Sequence, residues 1–66
     1  MIMKRIKKSE LSSTPIGTRI YMLPCGDLPA TTGTLDGHEL FYNCVRVKLD
    51  DGTLTECELN LIRLPE

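Results

Sequence analysis

The stretch Phe41–Leu59, FYNCVRVKLDDGTLTECEL, reads as a single β-hairpin, and its reading decides the fold class. Val45, Val47 and Leu49 alternate with Cys44, Arg46 and Lys48, the period of a half-buried strand. Two turns at Asp50-Asp51-Gly52 can join this run to Thr53–Leu59. A two-residue loop at Asp51-Gly52 sets Val47 opposite Glu56 and Val45 opposite Glu58. A three-residue loop, with Gly52 in the left-handed region making a bulge, slips the pairing by one residue. Val45 then faces Cys57, Val47 faces Thr55 and Leu49 faces Thr53. Arg46 faces Glu56, Cys44 faces Glu58 and Lys48 faces Leu54 on the other side.

A slip of one residue exchanges the faces of a whole strand, so the two registers differ greatly in cost. The first aligns carboxylates with buried valines, and unpaired buried charge is expensive. The second buries apolar or small groups and offers a cross-strand Arg46–Glu56 pair worth ~0.2–1 kcal/mol. The bulged register is therefore expected. It leaves Leu54 on the outer face.

Sixty-six residues make one domain with a small core. The expected division is a basic N-terminal arm over residues 1–8 and a single β domain over 9–66. Lys4, Arg5, Lys7 and Lys8 give the arm +4. The remaining four basic residues stand against nine acidic ones, so the body carries -5. MIMKRIKK is followed by polar residues rather than an apolar segment, unlike a signal peptide. With three cysteines, an odd number, and no CxxC, a reducing cytoplasm with free thiols is expected.

Periodicity leaves the arm open between an edge strand, a helical turn and disorder. Ser9–Thr14 reads as a loop with Leu11 tucked beneath the body. Thr14-Pro15-Ile16-Gly17 suits a type I turn. Thr18–Leu23 is a strand with Ile20 and Met22 on one face. Prolines bracket the loop Pro24–Pro29, and Ala30–Leu35 is a second strand in which Gly33 marks a bulge or sharp bend. Asn60–Leu64 gives a helical turn and then a last short strand. The sum is an all-β chain: a small five-stranded barrel or roll with a short helical turn before the final strand.

Gly17-Thr18-Arg19-Ile20-Tyr21, Ala30-Thr31-Thr32-Gly33-Thr34-Leu35, Val45–Gly52 and Glu58-Leu59-Asn60-Leu61-Ile62 resemble, in that order, the recurring segments of SH3-like barrels of the KOW and Tudor type. The likeness covers about residues 16–64. It implies an SH3-like fold, and either an aromatic cage for a cation or contact with RNA. A cage would need Tyr21, Phe41 and Tyr42, the three aromatics of the chain. RNA contact rests on Thr32-Gly33-Thr34-Leu35, against an acidic body.

Chemistry is sparse. Cys25, Cys44, Cys57 and His38 have the number for a zinc site but lack the paired knuckle spacing. Cys25 and His38 would make a thiol–imidazole pair only if two loops met, and no third group orients them. Ser9, Ser12 and Ser13 all lie in the N-terminal segment, so neither metal, cofactor nor catalysis is expected. An oligomeric enzyme with a shared pocket is the weakest reading. The expected function is a non-catalytic interaction module that binds a protein partner or itself through Tyr21, Tyr42, Arg46 and Lys48. The alternative is nucleic-acid binding by Lys4, Arg5, Lys7 and Lys8 with Arg46 and Lys48. Short sheet edges, with Met1, Ile2, Met3 and Ile6 to lie along one, point to self-association.

Overall fold

The computed structural model describes residues 3–65. Its elements run β1 (Met3–Arg5), α1 (Lys8–Leu11), β2 (Arg19–Met22), β3 (Thr31–Leu35), β4 (Cys44–Leu49), β5 (Leu54–Glu58), a 3-10 turn (Leu59–Leu61) and β6 (Ile62–Pro65). All strands join one open antiparallel sheet in the order β1-β6-β2-β3-β4-β5. The all-β expectation holds. The count of five strands becomes six, because Met3–Arg5 pairs with Pro65–Arg63 as an added edge.

The hairpin has the bulged register. Cys44 pairs with Glu58, Val45 with Cys57, Arg46 with Glu56, Val47 with Thr55 and Lys48 with Leu54. Leu49 N–H donates to the Thr53 carbonyl at 2.8 Å, and Gly52, at φ 91°, donates its N–H to the Leu49 carbonyl at 2.9 Å. Val45 and Val47 are fully buried, while Arg46, Lys48 and Glu56 are exposed. Leu49 and Cys57 are half-buried instead of buried, since β5 is an edge strand with nothing packed beyond it. Two details differ from expectation. The strand begins at Cys44, with Phe41–Cys44 forming a separate turn. Arg46 and Glu56 face one another without closing an ion pair, and the ion pairs among the described residues are Lys4–Glu10 and Arg19–Asp50.

The core is Ile6, Leu11, Ile20, Met22, Leu35, Val45, Val47, Leu59 and Ile62. Ile20, Met22, Leu35, Val45 and Val47 are the inward positions of alternating strands; patterning grouped Ile20 with Met22 and Val45 with Val47 but did not single out Leu35. Ile6 and Leu11 come from the N-terminal segment and close one end. Thus Ile6 is core and not available along an edge; Met1 and Ile2 lie outside the described residues.

Three local expectations shift. Residues 8–11 form a helical turn where a loop was expected, with Glu10 carboxylate accepting the Lys7 N–H at 3.3 Å. The turn expected at Thr14–Gly17 moves one residue along: Thr18 N–H donates to Pro15 carbonyl at 3.1 Å, and Gly17, at φ 96°, takes the third position that a type II turn reserves for glycine. Gly33 is not bulged, since its register is continuous with both Ile20 and Leu49. A side chain there would collide with the backbone carbonyl of Lys48, so glycine allows the close approach of β3 and β4.

Candidate functional site

At the start of β4 the chain reverses through Phe41-Tyr42-Asn43-Cys44. Phe41 and Cys44 exchange both backbone hydrogen bonds at 2.9 Å, and Tyr42 and Asn43 sit at φ 52° and 62°. Positive φ at both central positions is the type I′ pattern, usually filled by Asn or Gly. Asn43 suits it. Tyr42 does not, because a left-handed L-residue costs of order 1–2 kcal/mol. These are the only non-glycine residues at positive φ among those described.

The strained turn displays its aromatics. Tyr42 is 86% exposed and Phe41 66% exposed, with ring centroids 4.6 Å apart in an edge-to-face arrangement. Phe41 also walls a cleft of about 620 Å³, whose other sides include Asp36, His38, Glu39, Arg46 and Glu56. Three carboxylates against one guanidinium make this cleft acidic. Register explains the convergence. Arg46 lies between Glu56 on β5 and Asp36, whose N–H donates to the Arg46 carbonyl at 3.0 Å. His38 pins the loop between β3 and β4 to the body, its Nε2 donating to the Thr14 carbonyl at 2.6 Å. That nitrogen is occupied as a donor and does not face a thiol as a base.

The other candidate residues are dispersed. Tyr21 pairs across β2 with Thr32 and Arg63, and Asp50 N–H donates to Thr32 carbonyl at 3.3 Å. Tyr21 therefore lies in the row that ends at the Gly52 turn, whereas Tyr42 lies at the opposite end of β4. Lys48 is opposite Thr34 and Leu54, between these ends. Of the expected partner-binding set, only Arg46 lines the cleft, and Tyr42 adjoins it through its ring contact with Phe41.

Strand alternation divides the arm. Lys4 shares a face with Leu64 and meets Glu10 at 3.3 Å, while Arg5 takes the other face and donates to Asn60 Oδ1 at 3.1 Å. Lys7 precedes α1 and Lys8 begins it, and both are exposed. Glu10 is held below the usual carboxylate range by the Lys7 N–H and by Lys4.

The Gly52 end holds a cluster built for structure. Arg19 clamps Asp50 with both guanidinium nitrogens, at 2.8 and 2.9 Å, and Thr32 hydroxyl donates to the same carboxylate. Thr32 and then Arg19 hold the Asp50 carboxyl below its ordinary value. Asp51 accepts the Thr53 N–H at 2.9 Å, and the Thr53 hydroxyl first and then this N–H hold its carboxyl below the ordinary value.

Cys25 occupies the turn at Gly26 and is exposed, while Cys44 and Cys57 are half-buried. Burial pushes the Cys57 thiol up to about 11, with Cys25, Cys44 and Glu58 adding to it. Among the described residues no group of three or more His, Cys, Asp or Glu side chains is arranged to hold a metal ion, and no helix is long and apolar enough to cross a membrane.

The sequence reading missed Phe41, Asp36, Glu39 and Glu56 as a group. Its available signal was Asn43 behind two aromatics, a turn residue where a strand was assumed. No protein-family model, curated protein or solved structure matches this chain.

Proposed function

We propose that this chain is a non-catalytic interaction module, an SH3-like barrel that binds a protein partner at the Phe41–Tyr42 turn. The strand order β6-β2-β3-β4-β5, with a 3-10 turn leading into the last strand, supports the SH3-like reading, β1 being an added edge. The observation that carries the function is Tyr42: a large aromatic held 86% exposed in a conformation that disfavours it. Strain of this kind persists where surrounding structure imposes it, and it concentrates at ligand-binding positions. Exposed tyrosine beside a cleft is also the composition of interface anchors.

The adjoining acidic cleft selects the partner's chemistry. A segment carrying Lys or Arg would place its cation among Asp36, Glu39 and Glu56 while Phe41 and Tyr42 cover its apolar stem. The nucleic-acid reading has weaker support, because Lys4 and Arg5 leave on opposite faces and Lys4 is tied to Glu10.

The test is photo-crosslinking from position 42 in the native cell, followed by titration of the purified partner. A partner crosslinked from position 42, and bound at least tenfold more weakly by Tyr42→Ala or Glu56→Gln, is the expected result. Equal affinity for wild type and both variants would remove the proposal. Submicromolar RNA or DNA binding at 150 mM salt, lost on removing residues 1–8, would make nucleic acid the better reading.

A further inference from the structure

The sheet is open, and its two edges carry opposite charge. One edge is β1, Met3-Lys4-Arg5, continued by Lys7 and Lys8; the other is β5, Leu54-Thr55-Glu56-Cys57-Glu58. No described strand pairs with the outer side of either. Open edges invite pairing, and neither strand interior carries proline or a bulge to discourage it.

Hydrogen-bond alternation fixes which backbone groups each edge offers. Across β4 and β5, Leu49 N–H donates to Thr53 and Leu59 N–H donates to Asn43, so the odd-numbered residues of β5 point to β4. Leu54, Glu56 and Glu58 then present their N–H and carbonyl groups outward. On the other side, Leu23 N–H donates to Leu61, which makes Tyr21–Arg63 a hydrogen-bonded pair in the same ladder. Arg63 thus faces β2, Leu64 faces β1, and Met3 and Arg5 present their backbone groups outward.

Charge decides which edges meet. Two β5 edges pairing antiparallel about a two-fold axis would bring four glutamates into one short ladder, and two β1 edges would do the same with lysines and arginines. Like charges opposite one another are destabilising. A β1 edge against a β5 edge instead sets Arg5 opposite Glu56, both on the outer face and both with outward backbone groups, while Met3 meets Glu58 and Lys4 meets Cys57. We propose that copies of this chain associate head to tail, the β1 edge of one copy adding to the β5 edge of the next. Such a contact is heterologous, and it forms rings where the rotation closes and open chains where it does not. It uses neither Phe41 nor Tyr42 but shares Glu56 with the cleft, so Arg5→Glu tests the edge contact alone and Tyr42→Gly the partner site alone.

Sedimentation velocity over a concentration series at 50 and 500 mM salt, with Arg5→Glu, Glu56→Arg and the double variant, tests this. Wild type is expected to grow in mass with concentration at low salt and to revert to monomer at high salt. Each single variant should be monomeric. The double variant, which swaps the charges, should regain association, and Tyr42→Gly should behave as wild type. Thermal melts verify folding, and Glu56→Gln replaces Glu56→Arg if the arginine beside Arg46 unfolds the chain, with weakened association then expected. A wild type monomeric at millimolar concentration in low salt would overturn the proposal, leaving the edges to strands of other proteins. So would association that survives Arg5→Glu, fails to return in a folded double variant, or is lost with Tyr42→Gly.

Discussion

Strand β4 is bounded by two turns of opposite character. At its far end Gly52 takes the left-handed position, Asp51 accepts the Thr53 N–H, and Asp50 is clamped by Arg19 and Thr32. Both carboxylates there are tied to neighbouring groups of the fold. At its near end the same need for positive φ is met by Tyr42 and Asn43, and the aromatic side chains point into solvent. One turn is chosen for the backbone it makes, the other for the side chain it shows. A reversal could have been built at the near end with Asn-Gly at lower cost. The use of tyrosine there is the observation on which the proposed contact at that end rests.

The largest effect should come from Gly52→Val. A Cβ at this position meets nothing within 4 Å, so its cost is that of the backbone alone, roughly 1–2 kcal/mol for a left-handed L-residue and more for a β-branched one. Denaturant unfolding should show a lower midpoint with an unchanged slope. Tyr42→Gly is the counterpart. Relief of ~1–2 kcal/mol of strain is offset by ~0.5–1 kcal/mol of added chain freedom and by loss of an exposed ring contact near the low end of ~0.5–1.5 kcal/mol. Stability should therefore stay within about 0.5 kcal/mol of wild type. A loss above ~1 kcal/mol would make Tyr42 a structural residue like Gly52 and collapse the distinction between the turns.

The Gly52 turn was legible because it is local. Val45-x-Val47-x-Leu49 followed by Asp-Asp-Gly leaves two registers, and the charges of Glu56 and Glu58 choose between them. The Tyr42 turn was not legible, because Phe41 and Tyr42 have high strand propensity and extend the alternation into residues that in fact reverse. The sixth strand was hidden for another reason: Met3–Arg5 is three residues long, and its pairing partner lies 58 to 62 residues further along the chain. Gly33 was noticed, but its close approach to β4 was not legible, since a glycine that admits a neighbouring backbone and one that bulges a strand look alike in sequence. The cleft needed Asp36, Glu39, Phe41, Arg46 and Glu56 brought together from one connection and two strands.

Acid should act on the Gly52 end. Asp50 and Asp51 have folded pKa values below their ordinary ones, so the stability they give is present above the unfolded value and lost as pH falls through the folded one. Asp50→Asn should flatten the acid limb of a stability–pH curve measured by urea unfolding. An acid limb unchanged in Asp50→Asn would show that the Arg19–Asp50–Thr32 cluster is not what holds this end.

Alkali should act on the Tyr42 end, through Cys57, which sits opposite Val45 and next to the residue paired with Cys44. Its thiol is raised from 9.0 to about 11, chiefly because burial disfavours the thiolate. In the unfolded chain the thiol ionises near its ordinary value, so from about pH 9 upward the unfolded state loses its proton first. The preference for the neutral, folded thiol is therefore fully present below pH 9 and disappears as pH rises toward 11. Alkali acts on more than one group, so the measurement must be a difference. Cys57→Ala should lose less stability than wild type between pH 9 and 11, and it should do so without altering the acid limb. Alkylation supplies a second readout: at pH 8.5 the exposed Cys25 should react with iodoacetamide well before Cys57. Equal rates would place Cys57 in solvent and show that β5 opens from β4 at the Tyr42 end, so that the strained turn would mark a frayed edge and not a fixed display.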